Sequence, residues 1–213
     1  MDALALLLAD GRFPSGGHAH SGGMEAAVAA GAVHDVSTLA TFLEGRVATG
    51  GAVDAWAAAC ACAGADPDDV EAEYDARCPS PAIRAAGRVQ GRGLRRAAGA
   101  AWPLPAGLVA EQHPVVLGVV ARAAGLQPLA AASLAIHGSL MGGAAAAVRL
   151  LPIDMADACA VVASLAPRAD RIAQEAASVA ATVRWADGPA WSAPLLELRA
   201  EEHASWEARL FAS

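Results

Sequence analysis

The sequence predicts an all-α protein, a single compact helical bundle of about eight to ten helices that forms dimers. Three observations lead there. Hydrophobic residues make up 55% of the 213 but aromatics only 4%, so alanine carries the apolar content. Alanine is the best helix former and a poor strand former. Helix-start signals recur at Asp66-Pro67, Ser80-Pro81, His113-Pro114 and Pro128, where a short polar side chain or a proline suits the free N–H groups of a first turn. No stretch of useful length alternates with the two-residue period of a strand. An alanine core buries little area per residue, at roughly 25 cal/mol per Å², so dimerisation is a natural supplement.

The elements follow in order. Residues 2–9 form a short apolar helix. A glycine-rich loop comes next, and residues 22–30 restart a helix that Gly31 ends. Ser37 caps the following helix, with Leu39, Phe42, Leu43 and Val47 on one face. Gly50-Gly51 breaks it and residues 54–63 resume. Asp66-Pro67 opens a helix to Arg77, with acids in the first turn. Ser80-Pro81 opens another, to Ala101. Residues 102–107 are a loop. His113-Pro114 starts a helix that ends at Gly125, and Pro128 starts the long apolar helix, which stops before Pro152. Asp154 caps a helix that Pro167 interrupts or kinks and that continues to about Val183. Asp187-Gly188-Pro189 is a break, and residues 195–210 form the last helix.

Composition excludes several functions. The net charge is −7, which argues against a general nucleic-acid binder. All fifteen basic residues are arginine, so no lysine nucleophile or Schiff base is available. Cys60 and Cys62 lack the C-x-x-C spacing of redox or zinc motifs and read as small buried hydrophobes. The first residues have no basic n-region, so the expected compartment is the cytoplasm, with reduced thiols. Residues 129–148 contain no charge and are long enough to span a bilayer. They are mostly Ala, Gly and Ser, so a buried central helix is expected instead. Within them GSLMG, residues 138–142, has the small-xxx-small spacing of a tight helix–helix contact, within the fold or across a dimer.

The motif FPSGGHAHSGGMEAA, residues 13–27, raises the question of metal. His18 and His20 would project to one side of an extended loop, but two imidazoles are an incomplete zinc site. Glu25, His34 or His113 would have to complete it. The competing reading is a loop whose polar groups satisfy its own backbone. Arg84, Arg88, Arg92 and Arg95 or Arg96 form a stripe on one helix. Like charges at this spacing repel, so the stripe is either solvated or paired with carboxylates, internal or on an acidic partner. Gly91 inside it implies close approach of another backbone. His113 reads as a helix-start or core residue and His137 as a buried, hydrogen-bonded one. No G-x-S-x-G, P-loop, H-E-x-x-H or paired-carboxylate signature is present, so no enzyme is expected. The tail ends on large apolar residues, which make sense if it docks into its own fold or a partner groove.

Several motifs together resemble the urease accessory protein UreF family. FPSGGHAHSGGMEAA is similar to its N-terminal Pro-x-Gly-Gly-aromatic-x-His-Ser-x-Gly-Leu-Glu pattern. RVQGRGLRR (88–96), HPVVLGVVARAAGL (113–126) and GSLMGGAAAAVRLLPID (138–154) resemble internal segments. HASWEARLFAS (203–213) is similar to the ending His-x5-Arg-Leu-Phe-x-Ser. The likeness runs in order along nearly the whole chain. His18 stands where the family has an aromatic, which favours packing over metal binding, and Met24 stands where it has Leu. Residues 60–78 match nothing in the pattern.

The resemblance implies one all-helical UreF-like domain over residues 1–213, with a docking loop at about 11–24 and a partner-binding tail at about 195–213. It implies a dimeric, non-enzymatic scaffold that binds a UreD(UreH)-type protein and recruits a UreG-type GTPase. The assembly would insert nickel into apo-urease. No cofactor would be stably bound; nickel would be handled by the complex. No nucleic acid or membrane is expected as a partner. Pro14, Gly16, Gly17, His20, Ser21, Gly23 and Glu25 would belong to the N-terminal docking element. His203, Arg209, Leu210, Phe211 and Ser213 would belong to the tail. Arg88, Gln90, Arg92, Gly138 and Gly142 would make dimer or GTPase contacts. The loop and tail are expected to order on docking. The alternative is a helical metal-binding protein or metalloenzyme using His18 and His20.

Overall fold

The computed structural model describes residues 3–182 and 185–213. Among these residues the order is α1 (Ala3–Ala9), α2 (Met24–Ala29), α3 (Val36–Arg46), α4 (Ala52–Ala63), α5 (Pro67–Arg77), α6 (Pro81–Ala98), α7 (His113–Ala123), α8 (Pro128–Leu150), α9 (Met155–Ala180) and α10 (Pro194–Ala204), with no strand. The expected fold class therefore stands as all-α.

α4 is the axis. Its sequence AVDAWAAACACA is apolar apart from Asp54, and ten of its twelve residues are buried. A helix with no polar face must be surrounded, and α7, α8 and α9 surround it. Alanine makes the approach close. A Cβ at Gly118 of α7 would run into the carbonyl oxygen of Ala58 and the methyl of Ala61. Cys60 and Cys62 are buried here, and burial pushes their thiols up to about 12 and about 11.

α8 packs on α4 and α9. Among the described residues it is the one helix long and apolar enough to cross a membrane. Its buried face includes Ala132, Ile136, Leu140 and Ala147. One expectation fails on it and a second is narrowed to its dimer alternative. His137 is exposed rather than buried, because it lies off the face that carries Ala132, Ile136 and Leu140. Gly138 and Gly142 make no tight contact within the fold, since a Cβ at either would meet open space. The close approach falls one residue on, where a Cβ at Gly143 would press on Leu43.

Several boundaries also differ from expectation. Asp35, not Ser37, caps α3, in a reciprocal pair with Thr38. Gly50-Gly51 does not break the chain. Residues Val47–Gly51 form a single π-helical turn that joins α3 to α4, because a wider turn absorbs an extra residue without losing the backbone ladder. α2 starts only at Met24, since Gly22 and Gly23 have positive φ, 62° and 89°. α6 stops at Ala98. α9 runs through Pro167 without a break. Ala163 and Pro167 are both exposed, so the carbonyl that loses its donor can turn to water. α9 ends at Ala180; the expected end near Val183 lies outside the described residues, as does the start at Asp2. α10 ends at Ala204, and residues 205–213 are not helical.

The arginine stripe of α6 is an internal pairing surface. Arg88 pairs with Asp75 and lies 3.8 Å from Glu71; Arg92 is 2.8 Å from Glu111. Arg95 donates to the Leu108 carbonyl at 2.8 Å. Gly91 is where the backbones meet, as its helix-weakening presence implied. A Cβ there would collide with the Glu111 carbonyl.

Candidate functional site

The first described loop and the last nine residues, separated by most of the chain, close on each other. Glu25 is the centre. The two positive-φ glycines before it let the chain turn sharply into α2, which sets Glu25 in the first turn of that helix. A carboxylate is favoured there by the helix dipole. Arg46 holds the turn by donating to the Gly22 carbonyl at 2.9 Å.

Glu25 then takes three donors from the other end of the chain. His203 Nε2 lies 2.8 Å from Oε2, the Leu210 N–H donates to Oε1 at 2.7 Å, and the Phe211 N–H donates to Oε2 at 3.0 Å. Beyond it the contact continues through backbone. Ala212 N–H donates to the Ala19 carbonyl at 2.8 Å. The Ser213 carbonyl accepts from the Ser21 N–H at 2.7 Å and from its hydroxyl at 2.6 Å. His20 Nδ1 is 2.8 Å from Ser213 Oγ. Phe211 is 4% exposed, under the Arg149 guanidinium 4.3 Å above its ring. Arg149 also donates to the His18 carbonyl at 3.1 Å.

Burial alone would raise the Glu25 carboxyl. The bonds from Leu210, His203 and Phe211 outweigh it and hold its pKa below the ordinary value. His203 is buried and meets Trp206 in a tilted ring contact, with centroids 4.8 Å apart. Burial pushes the His20 pKa down, with His18 adding to it. Burial, with His20 close by, pushes His113 down to about 4. At neutral pH both imidazoles are therefore uncharged.

α10 carries the tail and rests on α6 and α2. Glu201 ties it down by accepting from the Ser80 hydroxyl and, at 2.9 Å, from the Ala82 N–H. Gly23 packs against Leu196, which a Cβ would approach to 3.3 Å. Large apolar side chains on and beside α10 are exposed. Trp191, Leu195, Leu198 and Leu210 are 55–64% exposed.

The structure thus brings together His20, Ser21, Gly23, Glu25, His203, Leu210, Phe211 and Ser213. Pro14 and Gly16 lie earlier in the same loop, Gly17 opens its single 3-10 turn, and Arg209 is exposed on the tail. Arg88, Gln90 and Arg92 are on α6, and Gly138 and Gly142 on the open side of α8; none of them joins this cluster. His18 is exposed, so the packing expected of it as a stand-in for an aromatic does not occur. Among the described residues no three His, Cys, Asp or Glu side chains are grouped so as to hold a metal ion. Sequence reasoning missed Arg149 and Glu201. Arg149 had a signal, as the first charge after the uncharged run that follows Arg122. Glu201 had none, being one acid among several on α10.

The family model described as UreF matches residues 33–166. Among curated proteins, "Urease accessory protein UreF" of Mycolicibacterium vanbaalenii is 44% identical, covering 99% of this chain and 98% of that one. The protein of the same name from Mycobacterium marinum is 42% identical over the same shares. That of Mycobacterium tuberculosis is 40% identical over 99% and 98%. The family model lies between the two ends of the clasp; the relatives extend across both.

Proposed function

The chain belongs to the UreF family of urease accessory proteins, and from that premise we propose that it is a scaffold that docks a UreD(UreH)-type protein on the loop–tail clasp. It is an accessory protein and not an enzyme. On this reading the docked pair recruits a UreG-type GTPase and passes nickel, as cargo, to apo-urease in the cytoplasm. A second copy of the chain packs on the open glycine face of α8, at Gly138 and Gly142, to make the homodimer. Arg88 and Arg92 are already paired within the fold, so Gln90 and the exposed edge of Arg92 are what remains of the α6 surface for the GTPase.

The observation that carries this reading is the joining of residues 13–25 and 203–213 into one structure flanked by four exposed large apolar side chains. Singly exposed hydrophobes are ordinary, but several beside one built element mark a docking surface. Phe211 is already buried. The surface offered to a partner is therefore Leu210, Arg209 and the outer side of α10, with Phe211 as the anchor that fixes the tail.

Co-expression with the UreD-type protein tests it. The full chain is expected to be captured, and a chain ending after Trp206, which keeps α10 and loses the anchored residues, is not. Equal capture of both, with circular dichroism showing both folded, would overturn the reading.

A further inference from the structure

Beneath α10 lies a cavity of about 360 Å³. Its walls are apolar where α4, α6 and α10 face it, through Val53, Ile83, Ala86 and Leu196. Its charged lining is uneven. Arg46, Arg77 and Arg209 face Asp54 and Glu197. Both carboxylates are engaged: Asp54 accepts from the Tyr74 hydroxyl at 2.8 Å, and Glu197 from the Ala193 N–H at 3.2 Å. Arg77 pairs with Glu73 and donates to the Ala186 carbonyl, and Arg46 donates to the Gly22 carbonyl at 2.9 Å. The Nε atoms of Arg46 and Arg77 are buried, and neither has an acceptor within the protein. Folded proteins rarely leave such donors unmet.

We propose that this cavity binds a small organic carboxylate, its oxygens accepting from Arg46 and its apolar body lying against Val53, Ile83, Ala86 and Leu196. The volume is in the range of small-molecule sites, which combine apolar walls with a few convergent polar groups. A guanidinium matches a carboxylate because its N–H groups lie in one plane with two acceptor oxygens. The neighbouring imidazoles of His20 and His113 are uncharged at neutral pH, so they offer hydrogen bonds without adding charge. A bound carboxylate would brace α10, which roofs the cavity, against the body. The inference does not depend on the scaffold reading, and its test uses no partner protein.

Benzoate and butyrate are titrated into the full chain, with inorganic phosphate and chloride at matched ionic strength, and followed by calorimetry and thermal melting. Benzoate is expected to bind saturably and to raise the melting temperature. Arg46→Met should weaken binding by roughly tenfold or more. Ala86→Leu, which narrows the cavity and keeps every charge, should weaken benzoate binding by a similar factor. Should Arg46→Met fail to fold, because Arg46 also holds the Gly22 carbonyl, Ala86→Leu decides alone. The proposal is overturned by the absence of a saturable response to either carboxylate. It is equally overturned by a response matched by phosphate or chloride, or by one that Ala86→Leu leaves intact.

Discussion

Trp56 and Phe211 are both aromatic side chains withdrawn from water, and they are kept there by different means. Trp56 is 0% exposed at the centre of α4. Around it are alanines, the Arg77 guanidinium 4.6 Å above its ring, and the backbone at Gly188, where a Cβ would strike the indole. Phe211 is buried on the flank of the fold. Its ring touches the core, but its place also rests on two backbone N–H groups that end on a single carboxylate, on the neighbouring Ala212 and Ser213 bonds to the first loop, and on one guanidinium over its ring. Close packing has no switch, whereas a carboxylate with three donors can be undone by one proton or one substitution. The core should therefore fail only by unfolding, and the clasp should open with the core intact.

The largest effect is expected from Trp56→Ala. Removing a buried indole costs about 3–5 kcal/mol, or roughly 10 °C in a chain of this size, measured by calorimetry. A loss no larger than that of a clasp variant would break the comparison. Gly118→Val comes next, at about 2–3 kcal/mol, because the added atoms meet backbone that cannot retreat. Glu25→Ala should cost less in melting temperature, about 1–3 kcal/mol. Its effect should be local: hydrogen exchange at the Leu210 and Phe211 amides should accelerate by roughly a hundredfold while α4 amides stay protected. Uniform acceleration across both would mean that the clasp is part of the core.

pH sharpens the same contrast. The folded pKa of Glu25 lies below its ordinary 4.5, so the stabilisation is fully present above that value. It is lost as pH falls through the folded pKa. Amide spectra should show Phe211 released in acid before α4 is. His113 acts earlier. Its pKa falls from 6.5 to about 4 on folding, so the unfolded chain binds the extra proton between those values. Stability should decline as pH drops from 6.5 toward 4, and His113→Asn should flatten that slope. The smallest effect belongs to His18→Ala, within about 0.5 kcal/mol, since Arg149 uses only the His18 carbonyl.

Much of this was legible in the residues. Asp66, Ser80 and Asp154 cap helices where their identity says they should, because an N-cap is a local device. The apolar runs of α4, α7 and α8 announce burial. What was not legible depends on the rest of the fold. A glycine pair reads as a break unless the surfaces on both sides are buried, which is what makes Val47–Gly51 a turn within one helix. The face of α8 that is buried cannot be told from a helix that is small and apolar all round, so His137 was misplaced. The clasp was half legible. The residues at both ends were recognised by resemblance, but nothing in local pattern says that Glu25 receives Leu210 and Phe211.

That long separation has a consequence in time. The N–H groups that Glu25 accepts lie 185 and 186 residues further along the chain. At about 5–20 residues per second, on the order of ten to forty seconds pass between the addition of Glu25 and the making of its donors. During that interval the core helices can form, but the carboxylate that organises the clasp has nothing to hold. A chain released early would fold its interior and still lack the clasp, so the clasp forms only once residues 203–213 have been made.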